Sequence, residues 1–347
     1  MGKRVVICGV QTLFVRGGAE SLVASLEREL AARGFSVDVV NLPYKDVPRS
    51  EILKGFLLWR WLHLREMHGR PVDLVIGTKF PSYAVRHPHK VVWLVHQHRQ
   101  AYELYGTPYS DMHARPDGKL FAWLVRRLDR WALGDARQRY AISGNVAARL
   151  RRYNGLEATP LYHPPRLWKQ LHPGEYGEYV LAVGRFEPIK RFDLIVQAMR
   201  LVRSGLRCVL AGDGLARRDL ERMVEEAGLR GRVCFAGRVG DRELVDLYAG
   251  ALGVVYPPFE EDYGYVTLES FLARKPVITT TDAGGVLEFV EDGVTGYAAP
   301  PTPEALAECL ERLAARPATA KALGEAGYER VQDITWDAVI HHLTAGI

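Results

Sequence analysis

The sequence predicts two doubly wound α/β domains in tandem, each a parallel sheet flanked by helices. Three observations carry that expectation. Apolar strand-like runs alternate with helix-periodic segments along the chain. The alternation halts once, at HPPRLWKQLHPGEYGE over 163–178, and then resumes. The 347 residues also exceed what one hydrophobic core ordinarily serves. The expected division is a first Rossmann-like domain over 1–170, a second over 171–330 and a closing segment over 331–347. The two would face each other across a cleft, the default site, because ligands of such sheets sit beyond the C-terminal strand ends.

The elements follow in order. Arg4 to Val10 is an apolar strand, QTLFVRGGAE a glycine-containing loop, and Ser21 to Arg33 a helical pattern stopped by Gly34. Phe35 to Val40, VDLVIG (72–77), KVVWLVH (90–96) and Tyr140 to Ser143 supply further strands. In the second half, strands are expected at Tyr179 to Val183, Arg207 to Ala211, Val233 to Ala236, Gly253 to Tyr256 and Pro276 to Thr280. Helices are expected at Arg191 to Arg203, Leu215 to Glu226, Asp241 to Tyr248 and Tyr265 to Ala273.

With 48% hydrophobic and 25% charged residues, the composition is that of a soluble globular chain. No apolar run reaches the roughly 18 residues a membrane span needs, and MGKRVVICGV leads straight into a strand, so the expected location is the cytoplasm. Cys8, Cys208, Cys234 and Cys309 lack CxxC spacing and read as buried thiols. The net charge of +5 hides an asymmetry: residues 1–170 hold 27 Lys and Arg against 14 Asp and Glu, and the remainder 19 against 27. The basic half would attract an anionic acceptor, an anionic membrane surface or nucleic acid, or be simply a solvated face.

Several segments bear chemistry. EEDYGYVTLESFL (260–272) places Glu261 on a loop and Glu269 inside the helix that follows, with Tyr263-Gly264-Tyr265 as the entry turn. The free amides of a helix start favour an anion there. RGGAE (16–20) offers Gly17 and Gly18 for close backbone approach to a phosphate, although a Gly-Gly turn alone is a weak signal. In VGRFEPIKR, Arg185 and Lys190 flank a turn at a strand end, where they would hold a diphosphate and stabilise the charge that grows on a leaving β-phosphate. The alternative for that pair is two surface cations beside a turn. No Asp-x-Asp occurs, so a metal-independent site is expected. His96 and His98 stand at i, i+2 and would share a face if their strand continued; no third zinc ligand lies nearby, and His96 reads instead as a strand-end histidine or a packed one. FLLWRWLHLREMHGR (56–70) is either an interfacial membrane helix or a packed helix with snorkelling arginines.

Taken together, RGGAE, VGRFEPIKR, AGDG (211–214), the E-x7-E of Glu261 and Glu269, and TTTDAGGVLEFVEDGVTGY (279–297) resemble the family 4 retaining glycosyltransferases of GT-B fold. That resemblance covers most of the chain and is more specific in the second half. It implies transfer of a hexose from a nucleotide diphosphate sugar with retained configuration, to a saccharide or lipid-linked acceptor, without a cofactor. GDP-mannose is favoured slightly over a UDP-hexose, on likeness to mannosyltransferases of polysaccharide biosynthesis. By the same resemblance, Glu261 lies by the donor sugar, and Glu269 binds the ribose hydroxyls. The amides of Gly264, Tyr265 and Val266 meet the diphosphate with Gly17, Gly18, Arg185 and Lys190. The base rests near Arg238 and Val239, and His96 contacts the sugar. DITWDAVIHHL (333–343) resembles the helix that returns to the first domain. A lipid-linked acceptor would place the protein peripherally on the inner face of the plasma membrane.

Two other functions compete. A sugar-nucleotide epimerase of the same architecture would release free epimerised sugar. A non-catalytic nucleotide- or nucleic-acid-binding protein would use the basic half, but no RRM, zinc-finger or helix-turn-helix signature is present, and no nucleic-acid partner is expected.

Overall fold

The computed structural model describes residues 2–12 and 17–347. The chain divides into two compact units, one of residues 1–166 with 334–347 and one of 167–333. The division thus falls between Arg166 and Leu167, a few residues before the expected 170/171.

The first unit runs β1 (Arg4–Gln11), α1 (Gly18–Ala32), β2 (Ser36–Pro43), α2 (Ser50–Trp61), β3 (Glu66–Met67), β4 (Arg70–Pro71), β5 (Leu74–Gly77), β6 (Lys90–Leu94), α3 (Gly118–Gly134), β7 (Gln138–Ala141), α4 (Gly144–Asn154) and β8 (Thr159–Pro160). Its six-stranded sheet has the order β2-β1-β5-β6-β7-β8, with every pairing parallel. β5 and β6 are buried along their whole length, which is why they read as unbroken apolar runs. The segment 56–70 departs from a single helix. α2 ends at Trp61, and a short β3–β4 ribbon follows.

The second unit runs β9 (Tyr179–Val183), α5 (Phe192–Leu201), β10 (Arg207–Ala211), α6 (Arg217–Glu226), β11 (Val233–Gly237), α7 (Asp241–Gly250), β12 (Gly253–Val255), α8 (Tyr265–Leu272), β13 (Val277–Thr280), β14 (Gly296–Ala299), α9 (Pro303–Ala315) and α10 (Pro317–Val331). Its sheet order is β11-β10-β9-β12-β13-β14, also parallel. The chain therefore builds outward from β9 in one direction, returns, and builds in the other from β12. The crevice between the ends of β9 and β12 is the switch point where such sheets hold ligands.

α11 (Trp336–Thr344) belongs to the first unit. Its Thr335 cap accepts from the Ala338 amide, and buried Trp336 packs on Trp93 and His163 at ring distances of 6.2 and 5.9 Å. Truncating a buried tryptophan of this kind costs about 3–5 kcal/mol.

All four cysteines are free, but Cys234 is exposed, which corrects the expectation of four buried thiols. β11 is the edge strand of its sheet, so its residues alternate between core and solvent, and Cys234 takes a solvent position.

Candidate active site

The site residues of the second unit gather at the β9/β12 switch point. The chain leaves β9 through Gly184 and Arg185, passes a 3-10 turn at Pro188–Lys190 and enters α5. AGDG makes room for this loop: Gly212 has φ of 147°, and a β-carbon on it would lie 1.8 Å from the Gly184 carbonyl oxygen. Only glycine lets the loop after β10 approach so closely.

Lys190 is the centre of the group. Its ammonium forms a largely buried ion pair with Glu261 and donates to the Tyr256 hydroxyl at 3.2 Å. Arg185 is half-exposed, and its partner is Glu187 at 2.6 Å. Arg185 and Lys190 thus hold different carboxylates: the Lys190 pair is enclosed and the Arg185 pair is open to exchange.

The Glu261 loop is stitched to the DAGG segment. The Glu260 amide donates to the Asp282 carbonyl at 2.9 Å, Glu261 to the Ala283 carbonyl at 3.1 Å, and Gly285 returns a bond to the Glu261 carbonyl at 2.7 Å. Arg191, which the sequence reading passes over, locks the arrangement. Its guanidinium donates to the Pro257 and Pro258 carbonyls at 2.7 and 2.8 Å, to Thr280 Oγ1 at 2.7 Å, and in a fork to both oxygens of Asp282 at 2.9 and 2.6 Å. Burial alone would raise the Asp282 carboxyl, but hydrogen bonds from Arg191 and Thr280 outweigh it and hold the group below the usual range.

Gly264, at φ of 84°, turns the chain into α8 in a left-handed conformation that suits glycine. The opening amides of α8, Tyr265 and Val266 among them, follow at once and have no acceptor within their own helix. The Tyr263 and Tyr265 rings meet edge to face at 5.4 Å. Glu269 lies one turn further along, half-buried, and accepts from the Tyr248 hydroxyl of α7 at 2.8 Å. Burial, then the neighbouring Glu269 charge, push the Tyr248 phenol well above its ordinary value, so it remains a proton donor in this bond. Glu261 and Glu269 therefore hold separate partners, Lys190 and Tyr248. Arg238 is exposed beyond β11 and faces Asp213 at 3.6 Å, while Val239 is half-buried.

The candidates of the first unit form their own groups. α1 begins at Gly18, not Ser21, so the glycine pair stands at a helix start instead of in a loop. The Gly17 amide donates to Glu20 at 2.8 Å, and Lys79 holds the other oxygen of Glu20 at 2.6 Å. The anion at this helix start is one of the chain's own carboxylates. Arg16 lies outside the described residues. β6 ends at Leu94, short of the expected His96, so the alternation that would put His96 and His98 on one face does not extend to them. His96 is half-buried, with Nδ1 2.8 Å from the Gln97 carbonyl. His98 is buried against Phe80 and shares a hydrogen bond with the Tyr44 hydroxyl at 3.0 Å; burial pushes it down to about 4. Among the described residues no three His, Cys, Asp or Glu side chains cluster as a metal site, and no helix is long and apolar enough to cross a membrane.

The family model described as "Glycosyl transferases group 1" matches residues 167–330, and "Glycosyltransferase Family 4" matches 16–165. The chain is 39% identical over 139 residues to the alpha-D-kanosaminyltransferase of Streptomyces kanamyceticus, covering 39% of this chain and 36% of that protein. It is 34% identical over 116 residues to the alpha-1,3/1,6-mannosyltransferase of Mus musculus, covering 33% and 28%. The chain thus matches only about a third of the length of these curated relatives. In fold it is similar to the sucrose-phosphate synthase of Thermosynechococcus elongatus, with a TM-score of 0.78, 22% identity, and coverage of 99% of this chain and 98% of that one. Two family models in tandem account for nearly all of the sequence, and the chain belongs to the family 4-like glycosyltransferases of GT-B fold.

Proposed function

We propose that the protein is a retaining hexosyltransferase that takes its sugar from a nucleotide diphosphate donor bound at the switch point of the second unit. The carrying observation is the Lys190–Glu261 pair set beside the α8 start, with Glu269 held by Tyr248 one turn on. A diphosphate needs cations and amides, a ribose needs a fixed acceptor for its hydroxyls, and a hexose needs a carboxylate at its rim. In this reading Arg185 exchanges Glu187 for the diphosphate, while Lys190 stays in its enclosed pair and stabilises charge growing on the β-phosphate. The amides of Gly264, Tyr265 and Val266 complete the diphosphate cradle. Arg238 and Val239 border the base, and Glu261 orients the hexose.

The bond from the sugar's anomeric carbon to the β-phosphate oxygen breaks, and the acceptor oxygen bonds on the same face. The acceptor's proton passes to the leaving phosphate oxygen, so configuration is retained and no metal is called for. GDP-mannose is the favoured donor, supported by likeness to the mouse mannosyltransferase, with a UDP-hexose second. The acceptor is a saccharide or a lipid-linked saccharide; in the latter case the cation-rich first half supports an anionic membrane surface as a partner.

A panel of nucleotide sugars tested for thermal stabilisation and then for transfer, with and without EDTA, checks the proposal. Stabilisation by one donor, EDTA-insensitive transfer and an axial-to-axial or equatorial-to-equatorial product by NMR are expected. Release of free epimerised sugar without transfer would replace it with the epimerase.

A further inference from the structure

α2 and α3 each carry an unusual outer face. α2 buries Ile52, Phe56, Trp59 and Arg60, which corrects the snorkelling reading of Arg60: its guanidinium is enclosed, donating to Asp135 at 2.5 Å. The opposite stripe is Lys54, Leu57, Leu58 and Trp61, with Leu58 53% and Trp61 69% exposed. α3 buries Phe121, Val125, Asp129 and Leu133, and presents Leu120 at 69%, Trp123 at 56% and Trp131 at 48%.

The two helices lie side by side. Arg49, just before α2, pairs with Asp117 at 2.7 Å, just before α3; near the other ends, Arg60 stacks 3.9 Å over the Trp131 ring, which also lies 6.4 Å from Phe56. They therefore run in the same direction with Trp131 in the seam. All three exposed tryptophans of the described residues sit on this pair of helices. The exposed charge within α3 is all basic, and Asp117 at its start is paired with Arg49. Lys119, Arg127 and Arg130 are exposed on α3, whose one acid, Asp129, is buried, and on α2 the lone acid Glu51 is paired with Lys54.

We propose that this face docks the protein onto an anionic lipid bilayer. Exposed tryptophan and leucine suit the headgroup boundary, and lysine and arginine at their rim complement anionic lipid. The same charge disfavours a second copy as the occupant. Two such faces meeting would set Lys119, Arg127 and Arg130 against their counterparts, while the nearby carboxylates Asp117 and Glu51 are already paired with Arg49 and Lys54. The proposal extends the lipid-linked form of the acceptor reading, but its physical basis does not depend on glycosyl transfer.

Cosedimentation of the full chain with vesicles of phosphatidylcholine alone, or mixed with phosphatidylglycerol, tests it. Binding to the mixed vesicles is expected, about tenfold weaker to the neutral ones and weakened by salt. Trp61→Ser with Trp123→Ser should lower binding about tenfold and reduce the blue shift of tryptophan fluorescence to what Trp131 contributes, with the circular dichroism spectrum retained. Arg127→Glu with Arg130→Glu should remove the preference for anionic lipid. Failure of the wild type to bind either vesicle, or variants that bind as it does, overturns the proposal. So does a concentration-dependent dimer that the tryptophan variant loses, which would assign the face to a second copy. Transfer to a water-soluble acceptor, measured on the same variants, separates the two claims: lost vesicle binding with intact transfer leaves the enzyme reading standing, and the reverse leaves only docking.

Discussion

The two units share an all-parallel six-stranded sheet and differ in where they place charge. In the second, cations and carboxylates from distant loops close on one another at the strand ends: Lys190 with Glu261, and Arg191 with Asp282. The first also has such a pair, Lys79 with Glu20, but its interior holds a chain of buried polar groups. Gln97 donates to Asn154 at 2.9 Å, Asn154 to the Tyr102 hydroxyl at 3.2 Å, and Tyr102 to Asp129 at 2.6 Å. Its exposed chemistry lies on helices instead. A common sheet therefore fixes where a site can form, while the loops and outer helices decide what each unit binds.

Lys190→Ala should produce the largest effect, because it removes the cation paired with Glu261 and strands that carboxylate in a largely buried position. A loss of turnover of about 10²- to 10³-fold is expected in steady-state kinetics, with a lowered melting temperature. Arg191→Lys comes next. Lysine cannot reproduce the fork to Asp282 or reach both proline carbonyls, so the Glu261 loop loosens and kcat/KM should fall about tenfold or more while the circular dichroism spectrum is kept. The same exchange at Arg33, a partner of Glu29 and Asp337 in the first unit, should leave kcat/KM unchanged.

A smaller effect concerns the buried groups of the first unit, which have opposite pH signs. Burial pushes Asp129 up to about 7 from 3.8, so its contribution to stability is present at low pH and lost as pH rises toward 7. Burial pushes His98 down to about 4 and His163 to about 3 from 6.5, so their contributions are present above 6.5 and lost as pH falls. The two trends oppose each other through the mildly acidic range. Asp129→Asn deletes the falling one, and urea midpoints of the variant should climb with pH more steeply than those of the wild type.

The sequence made the second unit more legible than the first for a physical reason. Glycines that permit close approach, as at Gly212, and the cations and carboxylates of the candidate site fall in short contiguous motifs, so VGRFEPIKR and E-x7-E are legible directly. Arg191 adjoins Lys190 in that motif, but its partner Asp282 stands 91 positions away, and no spacing links them. Tyr248 looks like one more core aromatic of α7 until the Glu269 contact is seen. In the first unit, the early end of β6 displaces the two histidines from their expected alternation, and the apolar outer face of α3 is hard to read in the sequence because Trp123 and Trp131 are interleaved with core residues.

The most direct measurement is calorimetry of the nucleotide diphosphates GDP and UDP binding to the wild type, Tyr248→Phe and Glu269→Ala. If the second unit clamps the donor ribose through Glu269, one nucleotide binds the wild type, Tyr248→Phe weakens it by a few-fold, about the strength of one hydrogen bond, and Glu269→Ala weakens it by about tenfold or more. Equal affinity in all three proteins would contradict the donor site proposed for the second unit.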